Sequence, residues 1–182
     1  ISSCDLEGIL QDPVRSIDFV PETAMAGVYV HDVDGFSASL RENPSLDQFF
    51  TEFLEQERSG FFHPDSLASW QDKIADLSMS WHSVSGERMT PLILINFASP
   101  ITTEIIEKEL IQKLSAASKL ESKLFNDYQI RQLKSEKGNW SFMLSNNMLA
   151  LSTAELLIED VVRSLEDVEA QLFKGTGLQV LE

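Results

Sequence analysis

The chain has 182 residues, of which 43% are hydrophobic and 24% charged, a balance typical of one globular domain rather than a disordered chain. Its 29 acidic and 14 basic residues give a net charge of −15. This charge disfavours nucleic acids and anionic membrane surfaces as partners, because both are negative. No run of about 20 apolar residues is present, so we expect contact with a membrane only through an N-terminal anchor.

The predicted organisation is one domain with a short segment on either side. Residues 1–20 show little periodicity and are predicted to form a tether, and residues 21–175 form a single α+β domain. The remaining residues, 176–182, contain the strand formers Leu178 and Val180 after a helix-ending glycine. We expect a linker there, or the start of a further segment of a longer chain.

The first half of the domain is predicted to be one strand followed by three helices. The strand contains Val28 and Val30, and the helix after it begins near Asp34, a residue type favoured as an N-cap. A second helix is predicted from Pro44, which suits a first helical turn. A third is predicted over residues 63–78, because four apolar residues fall on one stripe at helical spacing. The residues of that stripe are Leu67, Trp70, Ile74 and Leu77.

The second half is predicted to be mostly strands. A hairpin is expected over residues 79–97, followed by a helix with Ser99 as its cap. A four-stranded meander comes next, because turn residues recur at short intervals, and a long amphipathic helix over 153–173 closes the domain. The turns are Asn126-Asp127, Lys137-Gly138-Asn139 and Asn146-Asn147. Because strands and helices are segregated, we expect an α+β fold, a mainly antiparallel sheet with helices packed on one face.

The sequence contains no recognisable pattern for catalysis or for phosphate binding. Nucleophile motifs and glycine-rich phosphate loops are absent. The best metal-like cluster is the stretch from His31 to Gly35, but a calcium loop needs an oxygen ligand where Phe36 stands and a bidentate glutamate where Asn43 stands. The stretch is better explained as a strand end that leads into a capped helix. We therefore expect no catalytic residue, no metal and no cofactor.

Aromatic residues are concentrated between positions 49 and 81, and most of them are expected in the core. The adjacent Phe61 and Phe62 are an exception, because two neighbouring aromatic residues in a loop are not easily buried together. They are candidates for an exposed apolar patch that contacts a protein partner.

Cys4 is the only cysteine of the chain. It follows Ile1, Ser2 and Ser3, and this arrangement resembles the end of a bacterial lipobox, a branched apolar residue and two small residues before the cysteine. The resemblance implies that the thiol carries diacylglycerol, which makes Cys4 a lipidation candidate. The alternative is a chain whose front has been removed and whose cysteine is incidental.

Two longer stretches carry a second resemblance: VPETAMAGVYVHDVDGFSASLRENPSLDQF, and YQIRQLK together with WSFMLSNNMLALSTAELLIEDVVRSL. They resemble a domain family of unknown function in exported, membrane-anchored Bacteroidetes proteins. The resemblance implies an envelope-facing α+β module, periplasmic or at the cell surface, and supplies no site residues. We expect a non-enzymatic binding or scaffold module that holds a protein partner or further domains of the same chain. A carrier of a small apolar ligand, and an enzyme with an unrecognised site, remain as alternatives.

Overall fold

The computed structural model describes residues 14–45, 47–48, 70–84, 89–114, 119–135, 138–145 and 147–175. Within these residues seven strands form one sheet in the order β1-β2-β3-β7-β6-β5-β4, and every neighbouring pair is antiparallel. The strands are β1 (Ala24–Val30), β2 (Ile74–Ser83), β3 (Met89–Phe97), β4 (Lys119–Phe125), β5 (Tyr128–Ser135), β6 (Gly138–Ser145) and β7 (Met148–Ser152). The helices are α1 (Val33–Glu42), α2 (Thr103–Leu114) and α3 (Glu155–Gly175), with 3₁₀ turns at Ser16–Phe19 and Gln71–Lys73. The predicted α+β fold with a mainly antiparallel sheet is confirmed.

Helices cover both faces of the sheet, so the expectation that they pack on one face is wrong. Along β3, Ile93 and Ile95 belong to a core shared with α1 and α2, whereas Leu92 and Leu94 belong to a core shared with α3. Successive side chains of a strand point to opposite faces, so these two cores lie on opposite sides of the sheet. The physical reason is that β3 and β7 are apolar at successive positions, and such strands must be covered on both sides.

The last part of the predicted tether belongs to the fold. Ser16 and Phe19 are only 0% and 2% exposed, and Phe19 packs in the core beneath α3. Burying one phenylalanine side chain contributes roughly 1.5–3 kcal/mol, which is enough to hold a single 3₁₀ turn on the sheet. The boundary at residue 20 is therefore corrected, and the earlier residues of the tether, up to residue 13, lie outside the described residues.

The third predicted helix is also corrected at its end, because residues 74–78 form the first half of β2. Ile74 and Leu77 fit a helical stripe, but Leu77, Met79 and Trp81 alternate with polar residues, and β2 is buried on both faces from Asp76 to His82. Pairing with β1 on one side and β3 on the other decides between these two readings. The beginning of this predicted helix and most of the helix predicted from Pro44 lie outside the described residues.

Two predicted helix caps are displaced, whereas the meander is confirmed. The Oδ1 atom of Asp32, rather than Asp34, accepts a hydrogen bond of 2.9 Å from the Gly35 N–H at the start of α1. Helix α2, which follows the hairpin of β2 and β3, begins at Thr103, four residues after the predicted cap Ser99. Gly138 and Asn139, which the sequence predicted in a turn, are instead the first residues of β6 and pair with Ser135 and Lys134. Strands β4 to β7 and α3 otherwise follow the predicted order. Their turn residues Asn126, Asp127 and Asn147 have φ values of 46°, 66° and 67°, which asparagine and aspartate tolerate better than most residues.

Candidate functional site

The residues that the sequence singled out do not form a site in the described structure. Cys4, Phe61 and Phe62 lie outside the described residues. The stretch from His31 to Gly35 joins β1 to α1, and its Asp32 serves as the helix cap. In the part of the chain that the structure describes, no group of three or more His, Cys, Asp or Glu side chains could hold a metal ion. None of the described helices is long and apolar enough to cross a membrane.

The outer strand β1 is the most unusual surface of the sheet. It has seven residues, none of them charged, and no described strand pairs with its outer side. Met25 is 68% exposed, and Ala26 and Gly27 are also exposed. Natural proteins usually protect an edge strand with charged residues, proline or a covering segment, since its backbone N–H and C=O groups can pair with another chain. An uncharged edge of this length is therefore a candidate binding surface.

Acidic residues flank this uncharged strand. Glu22 precedes it, Asp32 and Asp34 follow it, and all three side chains are exposed. Arg15, on the neighbouring 3₁₀ turn, is paired with Asp18 at 2.9 Å, so its charge is largely compensated locally. The electrostatic surroundings of β1 are thus negative at both ends, in keeping with the net charge of −15.

The strand next to β1 carries a row of buried polar side chains on one face. The row consists of Asp76, Ser78, Ser80 and His82, each 6% exposed or less. Asp76 accepts hydrogen bonds from the Ser16 backbone N–H at 2.7 Å and from Asn96 Nδ2 at 2.9 Å. The hydroxyls of Ser16 and Ser78 are 2.7 Å apart. These bonds satisfy buried polar groups and fix the 3₁₀ turn Ser16–Phe19 above β2.

The His82 side chain connects Thr23, in the turn before β1, to Ser80 in β2. Its Nε2 atom lies 2.8 Å from Ser80 Oγ, and its Nδ1 atom lies 2.9 Å from Thr23 Oγ1. Burial lowers the pKa of this imidazole below its ordinary value, and the opposing attraction of Asp160 is weaker. Near neutral pH the ring is therefore uncharged, and one of its nitrogens donates a hydrogen bond while the other accepts one.

A serine that is hydrogen-bonded to a histidine is also the pair used in nucleophilic catalysis. Here Thr23 stands where a carboxylate would stabilise the imidazolium that catalysis requires. Ser80 belongs to β2, which is hydrogen-bonded to β1 on one side and to β3 on the other. The backbone N–H groups around Ser80 therefore serve strand pairing rather than the binding of an oxyanion. The geometry of Ser80, His82 and Thr23 is that of a contact that fixes β1 onto β2.

A cavity of about 150 Å³ lies on this same face, between the 3₁₀ turn and the first two strands, and is partly open to solvent. Its lining residues are Ile17, Val20, Gly27, Val28, Tyr29, Ser78, Met79 and Ser80. Gly27 contributes no side chain, and a Cβ atom built there would lie 3.2 Å from the carbonyl oxygen of Met79. Burial raises the pKa of Tyr29, which forms part of the wall. The cavity thus adjoins the exposed strand.

The opposite edge of the sheet, β4, is strongly charged. Glu121 lies 2.7 Å from Lys119 and 2.5 Å from Lys134, and hydrogen bonds from these two lysines lower the pKa of Glu121 to about 2. Lys123 pairs with Glu155 and Glu159 of α3. Lysines on an edge strand disfavour pairing with another chain, so this edge is protected where β1 is not.

Sequence reasoning missed β1, the cavity and His82 as parts of one site. One signal was available, namely that residues 24–30 form a strand without charge whereas residues 119–125 contain three charged residues. The sequence does not reveal which strands become edges, so this contrast had no meaning before the strand order was known. No family model, curated protein or solved structure matches the chain.

Proposed function

We propose that this protein is a non-enzymatic binding module of the bacterial cell envelope, which holds an extended segment of a protein partner as an added strand beside β1. The observation that carries the proposal is the seven-residue edge strand without charge, whose opposite counterpart is protected by lysines. The envelope location comes from the resemblances described above, with Cys4 as the lipid anchor. If a Cys4→Ser variant stayed in the membrane fraction of the native host, that result would contradict the lipid anchor. It would not contradict strand binding at β1.

Strand addition suits this edge for two physical reasons. The main-chain groups on the outer side of β1 can form the hydrogen bonds of a further antiparallel or parallel strand, which gives affinity without a particular sequence. The strand is also held firmly, because β1 pairs with β2 along its length and His82 bonds the preceding turn. A strand that is already ordered loses little entropy when it receives a partner.

The charges around β1 indicate the chemistry of the partner segment. Glu22 at one end and Asp32 and Asp34 at the other favour a segment with lysine or arginine on both sides of an uncharged, strand-forming centre. The same charges disfavour a second copy of this chain, because pairing two β1 strands would bring like charges together in molecules of net charge −15. We therefore assign the edge to a basic, extended peptide of another protein or of a further domain.

A peptide array tests this assignment. The array would display nine-residue peptides with alternating β-branched residues in the centre and either lysine or glutamate at both ends. We expect binding to the lysine-flanked peptides, a loss of binding when central amides are N-methylated, and protection of β1 amides from hydrogen exchange in the complex. Equal binding of the glutamate-flanked peptides, or no binding to any strand-forming peptide, would overturn the proposal.

Two matched lysine variants locate the binding edge. Met25 and Leu124 are 68% and 69% exposed, and they lie on opposite edges of the sheet. We expect Met25→Lys to weaken binding of a lysine-flanked peptide by about tenfold or more, because it adds a charge of the same sign to the docking edge. Leu124→Lys should leave binding unchanged. An equal effect of both variants would contradict docking at β1, and concentration-dependent dimerisation would identify a second copy as the occupant.

The Ser80–His82 contact is the specific observation that favours an enzyme as the second candidate. A serine nucleophile in this position would react with a fluorophosphonate probe, and Ser80→Ala would abolish the labelling. We expect no labelling, because Thr23 cannot stabilise an imidazolium as a carboxylate would. The cavity beside β1 does not itself favour a carrier, since its volume of about 150 Å³ is well below the roughly 300–1,000 Å³ of typical ligand pockets.

A further inference from the structure

We infer that the cavity beside β1 is a specificity pocket that receives one branched aliphatic side chain, valine, leucine or isoleucine, from the docked strand. This inference rests on the proposed function and deepens it. It converts a strand-binding edge, which by itself reads mostly backbone, into a site that distinguishes one peptide sequence from another.

The register of the strands places the cavity in reach of an added strand. Gly27 pairs with Ser80 and Tyr29 with Ser78, and these four residues share the face on which the cavity lies. Every second side chain of a strand added to β1 would project on the same face. Above Gly27 no side chain of β1 stands in the way, so an incoming side chain near Gly27 can enter the space between β1 and the 3₁₀ turn.

The lining of the cavity selects an apolar side chain. Ile17 and Val20 contribute apolar surface. The two serine hydroxyls in the lining already have partners, since Ser78 is bonded to Ser16 and Ser80 to His82. None of the lining residues is charged. A charged side chain placed there would lose its hydration without an opposite charge to compensate it, whereas an aliphatic side chain gains burial.

The volume limits the size of the side chain. A cavity of about 150 Å³ is comparable to an engineered apolar cavity that accepts benzene. One aliphatic side chain of four carbons fits, whereas tryptophan does not.

The wall of the pocket is built before the ligand arrives. The 3₁₀ turn that carries Ile17 is tied to β2 through the Ser16 N–H and Asp76, and Phe19 anchors it in the core below α3. A pocket that is already formed avoids part of the ordering cost of binding. This explains why a charged residue such as Asp76 is kept buried at the base of the turn.

The experiment compares Gly27→Val with Ala26→Val on the peptide array described above. Both variants have valine at one of two neighbouring exposed positions of β1, but only position 27 faces the cavity. We expect the parent protein to prefer valine, leucine or isoleucine at one central position of the lysine-flanked peptides. Gly27→Val should weaken the leucine peptide about tenfold relative to a glycine or alanine peptide. Ala26→Val should keep the parent preference.

A second variant enlarges the pocket and guards against a folding defect in Gly27→Val. Ile17→Ala removes side-chain volume from the wall and should shift the preferred residue towards aromatic side chains as large as tryptophan. Strand-forming peptides that bind the parent without any positional preference, or a preference that neither variant alters, would overturn the pocket while leaving edge binding intact. The absence of all peptide binding would instead overturn the proposed function, and the pocket assignment with it.

Discussion

The two outer strands of the sheet are built in opposite ways. Leu124 of β4 and Met25 of β1 are almost equally exposed, so the edges do not differ in the presence of a large apolar side chain. They differ in charge, since β4 carries two lysines and a glutamate and β1 carries no charge at all. Because charged residues are what usually prevents a sheet from pairing with other chains, the contrast indicates that β4 is kept closed and β1 is left open for a partner.

The edges are also fastened to the molecule by different interactions. Next to β1, Asp76 is 6% exposed and bonds to Ser16 and Asn96. At β4, Lys123 pairs with Glu159 of α3 at 2.7 Å, and the lysine side chain remains partly exposed. A buried hydrogen-bonded charge is costly to disrupt, whereas a surface ion pair contributes little.

The largest expected effect comes from Asp76→Ala. The change leaves the buried Ser16 N–H without its acceptor and removes one of the two acceptors of the Asn96 amide, which also donates to the Val14 carbonyl. It should lower the free energy of unfolding by about 2–4 kcal/mol. The matched change at the other edge, Lys123→Ala, removes the partly exposed partner of Glu155 and Glu159 and should cost less than about 1 kcal/mol. Urea denaturation of the two variants measures both values. Equal losses would show that the two edges are not fastened differently.

A moderate effect is expected from pH near neutrality, and it originates on the β1 side. Burial places the pKa of His82 below 6.5 in the folded protein, so the unfolded chain takes up the proton first as the pH falls. The contribution of neutral His82 is therefore fully present above pH 6.5 and is lost as the pH falls from 6.5 towards the folded pKa. Urea midpoints measured between about pH 7.5 and pH 5.5 should decline. His82→Gln should remove that part of the decline, and an unchanged slope in this variant would exclude His82 as its cause.

The smallest effect is expected at Glu121 of β4. Its pKa of about 2 lies below the ordinary value of 4.5, so its favourable interaction with Lys119 and Lys134 is present above pH 4.5 and is lost as the pH falls towards 2. Because water screens the ion pairs of an exposed group, Glu121→Gln should lower the urea midpoint at neutral pH only slightly. Carboxyl ¹³C chemical shifts recorded during an acid titration measure the pKa directly. An ordinary value would show that β4 lacks the ion pairs assigned to it.

The meander could be predicted because its information is local. The turn residues Asn126, Asp127 and Asn147 supply backbone conformations with positive φ that most residues avoid, and the strands between them are short and even. The long helix α3 was predictable for the same reason, since its apolar residues recur at helical spacing over more than four turns.

The β1 side could not be predicted because its information is distant in sequence. The polar residues of β2 resemble a solvent-facing row until Ser16, which is 60 residues away from Asp76, covers them. Alternation within β2 competed with a helical stripe through Ile74 and Leu77, and only pairing with β1 and β3 resolves it. The edge position of β1 and the cavity beside Gly27 likewise arise from the strand order, which no local pattern encodes.

The joint between β3 and β7 has a consequence for how quickly the chain reaches its native state. Every other neighbouring pair in the described sheet is consecutive along the chain, but here Ile95 pairs with Leu149. The hairpins β2–β3, β4–β5, β5–β6 and β6–β7 close short loops and form early. The joint of β3 with β7 and the pairing of β1 with β2 must each close a loop of roughly forty residues or more, at a greater entropic cost. We therefore expect these two long-range pairings, the β3–β7 joint among them, to limit the rate of folding. Truncating Ile95 should slow refolding, whereas truncating Leu124 should mainly speed unfolding, and stopped-flow kinetics of the two variants would separate these outcomes.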